Sequence, residues 1–205
     1  MSNYLPYLTL TTWLVFDDTR LVISTGTDHQ ISIINIASKK TEKIIKTSNW
    51  CYGKTYNEGS LLFCEKSKGI SRVQLSDNSI SLLLKQEKFP DCAYAVTSGD
   101  NLYHTNPKTN TVNCYKINGD KLWEFRDVAI ITEPRGVAVD RELNVYVVSR
   151  GNNSVVVISP DGKRCRTVLG KSNGINNAFA ICFDKVKNNL VVCNLKGTGF
   201  LYNVE

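Results

Sequence analysis

Short runs of apolar, β-branched and aromatic residues recur along the whole chain at a nearly constant interval. Five such runs begin at residues 21, 61, 102, 145 and 190, so their starts are 40, 41, 43 and 45 residues apart. A second run begins nine or ten residues after each start, beyond a polar linker that is often rich in Gly and Asn. This spacing predicts a β-hairpin in every repeat.

Each predicted hairpin is flanked by two further segments with β-forming residues. A shorter apolar run precedes it, as at residues 93–96 and 180–183, and a fourth stretch follows it, as at residues 80–85 and 121–126. Four antiparallel strands in every repeat of about 40 residues are typical of a propeller blade, whereas helical repeats would space their apolar residues at about 3.6. The sequence therefore predicts an all-β fold, a β-propeller of four-stranded antiparallel blades with five repeats visible.

The whole chain is expected to form a single β-propeller domain, residues 1–205. Its repeats are assigned to residues 11–47, 48–88, 89–130, 131–172 and 173–205. The fifth repeat ends after its third strand, and residues 7–10 supply spare β-forming residues ahead of the first repeat. Since a ring of blades must close or expose strand edges, two forms fit this pattern. One is a five-bladed ring closed by residues 7–10, and the other is an incomplete six-bladed ring.

Composition narrows the class of protein further. The chain has 205 residues, 42% of them hydrophobic and 21% charged, which is typical of a soluble globular domain. Its seven cysteines are odd in number and mostly lie in apolar runs, which predicts buried, reduced thiols in a cytoplasmic protein. With His29 and His104 as the two histidines, no paired zinc ligands form, and we expect no cofactor and no metal. No run reaches the roughly 18 apolar residues that a membrane-spanning helix needs, so no membrane partner is expected.

The fourth repeat resembles a known family. The segments that carry the resemblance are residues 134–140 (PRGVAVD), 144–149 (NVYVVS), 151–158 (GNNSVVVI) and 160–163 (PDGK). They resemble an NHL repeat, and the whole arrangement is similar to the carboxy-terminal propellers of invertebrate tripartite-motif (TRIM) proteins. Family members usually carry Asp at the position of Ser149 and often Arg at the position of Ser154.

The resemblance implies a recognition function rather than a catalytic one. In full-length relatives, zinc-binding RING and B-box modules and a coiled coil precede a propeller that is typically six-bladed and recognises the substrate of ubiquitin transfer. The Cys and His spacing of the RING and B-box modules is absent from this sequence. We therefore expect a non-catalytic protein-interaction platform, not an enzyme, with a protein as the partner.

A basic surface is the candidate binding face. Turns between second and third strands and the connections between blades are expected to share one face of a propeller. The candidate residues on it are Lys66, Lys68, Lys108, Arg135, Arg150, Asn152 and Lys196. Because some NHL propellers are similar in using a basic face to bind single-stranded RNA, RNA is the alternative partner. Base stacking would require exposed aromatic rings, but Tyr52, Tyr94 and Tyr146 lie in predicted strands, where core positions are expected.

A calcium-dependent lactonase or esterase is the third hypothesis, since propellers of this size include such enzymes. Their ligands should lie where the inner strands begin. The starts in this chain, which carry no oxygen-bearing side chain, are Cys51, Ala93, Gly136 and Ala178. Asp91, Glu133, Asn176 and Asn177 are close by. Asp140 and Asp184 recur at strand-to-strand turns, where they are expected to shape the turn.

Overall fold

The described residues form five antiparallel β-sheets. The computed structural model describes residues 10–15, 17–25, 29–86 and 89–204. Four sheets have four strands each and the fifth has three. Helix in these residues is confined to one short turn of 3-10 helix, Lys171–Asn173. The fold is all-β, a five-bladed β-propeller, as the repeats predict.

Internal contacts divide the chain into two compact units, Met1–Asp91 and Cys92–Glu205. The first unit contains two blades, in each of which strands adjacent in the chain are hydrogen-bonded to one another. The strands of blade 1 are β1 (Leu10–Val15), β2 (Arg20–Thr25), β3 (Gln30–Asn35) and β4 (Thr41–Lys46). Those of blade 2 are β5 (Cys51–Asn57), β6 (Ser60–Glu65), β7 (Gly69–Gln74) and β8 (Ile80–Lys85).

The second unit contains blades 3, 4 and 5. The strands of blade 3 are β9 (Ala95–Ser98), β10 (Asn101–Asn106), β11 (Thr111–Lys116) and β12 (Lys121–Phe125). Those of blade 4 are β13 (Pro134–Val139), β14 (Val145–Ser149), β15 (Ser154–Ile158) and β16 (Cys165–Leu169). Those of blade 5 are β17 (Ala178–Asp184), β18 (Asn189–Asn194) and β19 (Gly199–Asn203). Because β13 packs against both β9 and β17, the first strands of these three blades lie side by side.

The second strand of each of blades 2 and 4 is buried along its whole length. All six residues of β6 and all five of β14 are buried, which is why these strands are nearly continuous apolar runs rather than alternating ones. Outer strands such as β8 are exposed at half or more of their positions. In the first unit the core gathers around Leu61 and Phe63, and in the second unit around Val147 and Leu190.

Two local features fix the backbone near the first strands of the second unit. Asn110 and Asn153 end the turns at residues 107–110 and 150–153 with φ angles of 56° and 51°, a left-handed conformation that Asn tolerates better than most residues. Gly136 lies in β13 where this strand packs against β17. A Cβ atom at Gly136 would lie 2.8 Å from the backbone nitrogen of Ile181, so the site requires glycine.

Several sequence expectations can be compared with this fold. Leu10 is the first residue of β1 and pairs with Thr25, while residues 7–9 of the proposed closing segment lie outside the described residues. That the five repeats form a single domain with the assigned boundaries stays a prediction. In the part of the chain described, no helix has the length and hydropathy of a membrane span.

The cysteines are free, but they are not all buried. Cys51, Cys64 and Cys114 are buried, as expected, and three others are half-buried. The expectation was wrong for Cys182, which is exposed. Its neighbours in β17, Ile181 and Phe183, take the core-facing positions, and in a strand the residue between two core-facing residues points away from them.

Candidate binding cleft

An open, polar cleft lies in the second unit, at the end of the blades where β13 and β17 begin. It encloses about 590 Å³. Its lining comes from the segments that lead into these strands and from the turns that follow β14 and β18. The lining residues are Glu133, Arg150, Gly151, Asn153, Asn176, Asn177, Asn194 and Lys196. Four of these eight carry side-chain amides, and each amide offers both hydrogen-bond donors and an acceptor.

Two asparagine side chains tie each turn to the segment entering the next blade. The Asn110 Oδ1 atom accepts a hydrogen bond from the Glu133 backbone N–H at 2.8 Å. The equivalent Asn153 Oδ1 atom accepts one from the Asn177 backbone N–H at 2.7 Å. These contacts hold the walls of the cleft in place because they satisfy backbone donors that no strand ladder reaches.

Arg150 spans the cleft wall and neutralises its carboxylate. Its Nε donates to Asn177 Oδ1 at 2.9 Å, and its Nη1 donates to Glu133 Oε2 at 2.9 Å. Glu133 is the one carboxylate among the lining residues. The remaining charge is that of Lys196, which is exposed and belongs to none of the ion pairs found among the described residues. The cleft therefore carries a net positive charge of about one.

Ser149 is the last residue of β14 and holds the entry to blade 4. Its Oγ accepts a hydrogen bond from the Thr132 backbone N–H at 2.9 Å. A serine hydroxyl thus fulfils one structural task that a carboxylate could perform there, without adding a charge. In blade 5 the residue at the same strand end, Asn194, accepts hydrogen bonds from the backbone N–H groups of Lys196 and Thr198, both at 3.0 Å.

A cluster of two aromatic rings and an arginine lies beside the cleft. Arg135 and Phe179 are each the second residue of a first strand, two positions beyond the lining residues Glu133 and Asn177. The Arg135 guanidinium carbon lies 5.4 Å from the centre of the Phe179 ring. The rings of Phe179 and Tyr94 pack edge to face at 5.7 Å, with an interplanar angle of 82°.

Both Arg135 and Phe179 sit on β-bulges. The pairing of β13 with β14 shifts register between Pro134 and Val137, and that of β17 with β18 shifts between Ala178 and Ala180. A bulge inserts one unpaired residue and turns its side chain away from the regular alternation, and bulges are common next to functional sites. The two bulges explain why these side chains meet next to the cleft.

The candidate residues of the second unit occupy different environments. Arg150 and Lys196 line the cleft. Arg135 lies within β13 rather than in a connection between blades. The Asn152 amide is used internally, because its Nδ2 donates to the Ile130 carbonyl at 2.8 Å. Lys108 lies exposed in the turn after β10.

In the first unit, both candidate lysines are already paired. The Lys66 Nζ lies 3.0 Å from Asp91 Oδ2 and 4.4 Å from the centre of the Trp50 ring. The Lys68 Nζ lies 2.9 Å from the buried carboxylate of Glu65. These lysines are therefore bound to their own unit, and their charges are largely compensated there.

The tyrosine expectations hold in part. Tyr52 and Tyr146 are buried, which confirms their core assignment, whereas Tyr94 is half-buried and joins the ring cluster beside the cleft.

Burial lowers the pKa of His104 to about 4, so this histidine is neutral at physiological pH. Its ring stacks on that of Tyr115.

The two recurring aspartates act as expected. The Asp140 carboxylate accepts from the Asn144 backbone N–H at 2.8 Å. The Asp184 carboxylate accepts from the Val186 backbone N–H at 2.9 Å. Each side chain therefore caps its own turn.

The sequence did not single out Asn153 and Asn194 as members of the site. The signal that could have found them is positional, since Asn residues recur just before the second-to-third strand turns, as at Asn106 and Asn194, and at the last position of these turns, as at Asn110 and Asn153. Glu133, Asn176 and Asn177, considered above as potential calcium ligands, do converge on the cleft. The described residues nevertheless contain no cluster of three or more His, Cys, Asp or Glu side chains able to hold a metal ion.

Comparison with known proteins gives a fold rather than a family. No family model matches the sequence, and no curated protein matches it. A structural genomics protein of unknown function from Bacteroides thetaiotaomicron is 16% identical with a TM-score of 0.72 over 94% of this chain. Virginiamycin B lyase from Staphylococcus aureus is 16% identical with a TM-score of 0.71 over 98% of this chain. A chain of a nidogen–laminin complex is 13% identical with a TM-score of 0.66 over 91% of this chain.

This chain spans 58% of the Bacteroides protein, 72% of the lyase and 76% of the matched chain in the nidogen–laminin complex. At such identities the likeness establishes the propeller fold and nothing finer. The similar structures include a lyase and a member of a protein–protein complex, so the fold by itself does not distinguish a binding propeller from an enzyme.

Proposed function

We propose that the chain is a non-catalytic protein-interaction module whose polar cleft binds a segment of a partner polypeptide. The observation that carries this proposal is the convergence of four side-chain amides and one unpaired lysine on an open cleft of about 590 Å³. The proposal agrees with the resemblance to the substrate-recognition propellers of TRIM-NHL ubiquitin ligases. Seven free thiols support a reducing, cytoplasmic location for such a module.

Amide side chains suit a polypeptide ligand because they match the chemistry of the peptide bond. A side-chain amide can accept from a backbone N–H and donate to a backbone C=O. The Oδ1 atoms of Asn153, Asn177 and Asn194 already accept hydrogen bonds within the chain, so these three residues offer a ligand mainly their Nδ2 donors. Asn176 is exposed, and its side chain makes no hydrogen bond to a described residue. Its full donor and acceptor capacity is therefore available to a ligand.

The other walls of the cleft are held in place before any ligand arrives. Arg150 is fixed by Glu133 and Asn177, and Asn194 is fixed by its own turn. A preorganised site loses less conformational entropy on binding. The same contacts argue against catalysis at this site, because the Glu133 carboxylate is engaged by Arg150 and is not free to act as a general base.

The test is a selection of random peptides displayed on phage against the immobilised chain, followed by fluorescence anisotropy with the selected peptide. Asn176→Trp should obstruct the cleft, and Lys196→Glu should reverse its unpaired charge. We expect each change to weaken binding by about tenfold or more, a loss of about 1.4 kcal/mol. Neither side chain bonds to another described residue, so both variants should fold.

Lys163→Glu is the matched control, since Lys163 is exposed in the turn before β16 and does not line the cleft. Its affinity should equal that of the wild type. The proposal fails when selection yields no specific peptide, or when the selected peptide binds Asn176→Trp as tightly as it binds the wild type.

A further inference from the structure

Arg135 is held in position by contacts on both sides of its backbone. The Thr105 hydroxyl donates to the Arg135 carbonyl at 2.8 Å, and the same hydroxyl accepts from the Tyr94 N–H at 3.2 Å. On the other side, Gly136 brings β13 into close contact with β17. The bulge then directs the arginine side chain onto the ring of Phe179.

The Arg135 guanidinium has no anionic partner among the described residues. It belongs to none of the five ion pairs there, and its Nε is shielded from solvent without a hydrogen-bond acceptor. A buried donor of a charged group without an acceptor is unfavourable. The acidic residue nearest to Arg135 in sequence, Glu133, is already paired with Arg150. The cation is therefore available to an incoming anion.

We infer that Arg135 binds a carboxylate of an acidic side chain in the partner polypeptide, with Phe179 as the surface against which the guanidinium lies. This inference rests on the proposed function, because it assigns the chemical class of the polypeptide that occupies the neighbouring cleft. A guanidinium presents its N–H donors as a fork that matches the two oxygens of a carboxylate. The aromatic face restricts the fork to one plane and adds a cation–π contribution.

The geometry favours an acidic peptide over RNA. Sequence-tolerant RNA binding requires open aromatic faces on which bases stack. Here Arg135 lies over the ring of Phe179, and the second ring, Tyr94, packs edge to face with the first. The rings thus support the cation and each other, while the cleft beside them offers amides to a peptide backbone.

The inference is tested by anisotropy titrations with two labelled, terminally blocked probes. One is a Gly-Ser-Glu repeat peptide, and the other has Gln in place of every Glu. The wild type should bind the Glu peptide about tenfold more tightly than the Gln peptide. Arg135→Gln should remove this preference. Arg135→Lys, which keeps the charge but loses the fork, should retain a small part of it.

Arg166→Gln is the matched control. Arg166 is exposed on β16, and this substitution removes the same charge at a position away from the cleft. Its preference for the Glu peptide should equal that of the wild type. A second measurement uses the wild-type protein, so its result does not depend on whether the variants fold. The side-chain Nε–H resonance of Arg135 should shift on addition of the Glu peptide and remain unshifted with the Gln peptide.

Three results would overturn the inference. The first is equal binding of the two peptides, and the second is an unchanged preference in Arg135→Gln. The third is binding of single-stranded polyuridine, lost in Arg135→Gln, without any binding of the Glu peptide. If the selected phage peptide still requires Asn176 in these cases, the cleft remains a peptide site and only the carboxylate assignment is wrong. If Arg135→Gln weakens binding of the Glu peptide but Asn176→Trp leaves the affinity for the selected peptide unchanged, the cleft assignment is wrong instead.

Discussion

Removing the buried carboxylate of Glu65 should destabilise the first unit strongly. The Glu65 side chain is 1% exposed. Its Oε1 accepts from the Asn49 N–H at 3.1 Å and from both the N–H and the hydroxyl of Ser48, while its Oε2 accepts from the Ser71 hydroxyl at 2.9 Å. Lys68 adds an ion pair at 2.9 Å. This one residue therefore anchors the segment that leads from blade 1 into blade 2.

The magnitude follows from what each substitution leaves behind. Glu65→Ala leaves two backbone N–H groups and a lysine without their acceptor, and we expect a loss of about 3 kcal/mol in the free energy of unfolding. In Glu65→Gln the amide oxygen still accepts from Ser48 and Asn49, and Lys68 can turn to water. The expected loss is then about 1 kcal/mol, because a partly exposed pair is screened by solvent.

The dependence on pH gives an independent check. Burial alone would raise the pKa of Glu65, but the hydrogen bonds from Ser48, Lys68 and Ser71 together outweigh it and lower the pKa. Since the pKa is lower in the folded state, the stabilisation is complete above the unfolded pKa of about 4.3. It is lost as the pH falls through the folded value. The stability gap between wild type and Glu65→Gln should therefore close in acid.

Urea unfolding followed by circular dichroism at neutral pH measures the loss of stability in Glu65→Ala and in Glu65→Gln. The same experiment along an acid series measures how the gap between wild type and Glu65→Gln changes with pH. Glu124→Gln is the control, because Glu124 forms an exposed ion pair with Lys121 and should change stability by less than about 0.5 kcal/mol. The reasoning is refuted if Glu65→Ala is no less stable than this control, or if the gap for Glu65→Gln widens in acid.

Two further predictions concern packing and metal dependence. Gly136→Ala should lower stability by about 1–3 kcal/mol, since the new Cβ would meet backbone atoms of β17 at 2.8 and 3.1 Å. Gly170→Ala, which has no atom within 4 Å of its added Cβ, is the matched control in thermal unfolding, and equal melting temperatures would contradict the packing argument. Calcium chloride should leave the melting temperature of the wild type unchanged relative to magnesium chloride, whereas a calcium-specific rise would favour the lactonase or esterase hypothesis.

The architecture was accessible from the sequence because blade strands are short, local and regularly spaced. Runs such as residues 61–64 and 145–148 mark second strands, since strands buried on both faces need continuous apolar residues. Turn residues then set the boundaries. The same reasoning predicted core positions for Tyr52 and Tyr146, and both residues are buried in the structure.

The candidate site was harder to predict from the sequence, because its geometry depends on β-bulges that interrupt the regular alternation of side chains along a strand. The bulges at Arg135 and Phe179 shift the register by one residue, and the residue types in those segments do not predict such a shift. The pairing of Arg150 with Glu133 and Asn177 joins residues 17 and 27 positions apart. Counting charges in the predicted turns found Arg150 and Lys196 but could not separate a cation used internally from one left for a ligand.

The asparagine contacts between consecutive blades have a consequence for how such a chain can gain or lose repeats. Asn110 and Asn153 each accept a hydrogen bond from a backbone N–H that leads into the following blade. A single sheet therefore does not contain both partners of these hydrogen bonds. Recombination at a sheet boundary would separate an acceptor from its donor, whereas recombination inside a turn would keep the pairs intact. A transplanted or duplicated blade should therefore be tolerated when it brings an acceptor at this turn position, and it should fray at its junction when it does not.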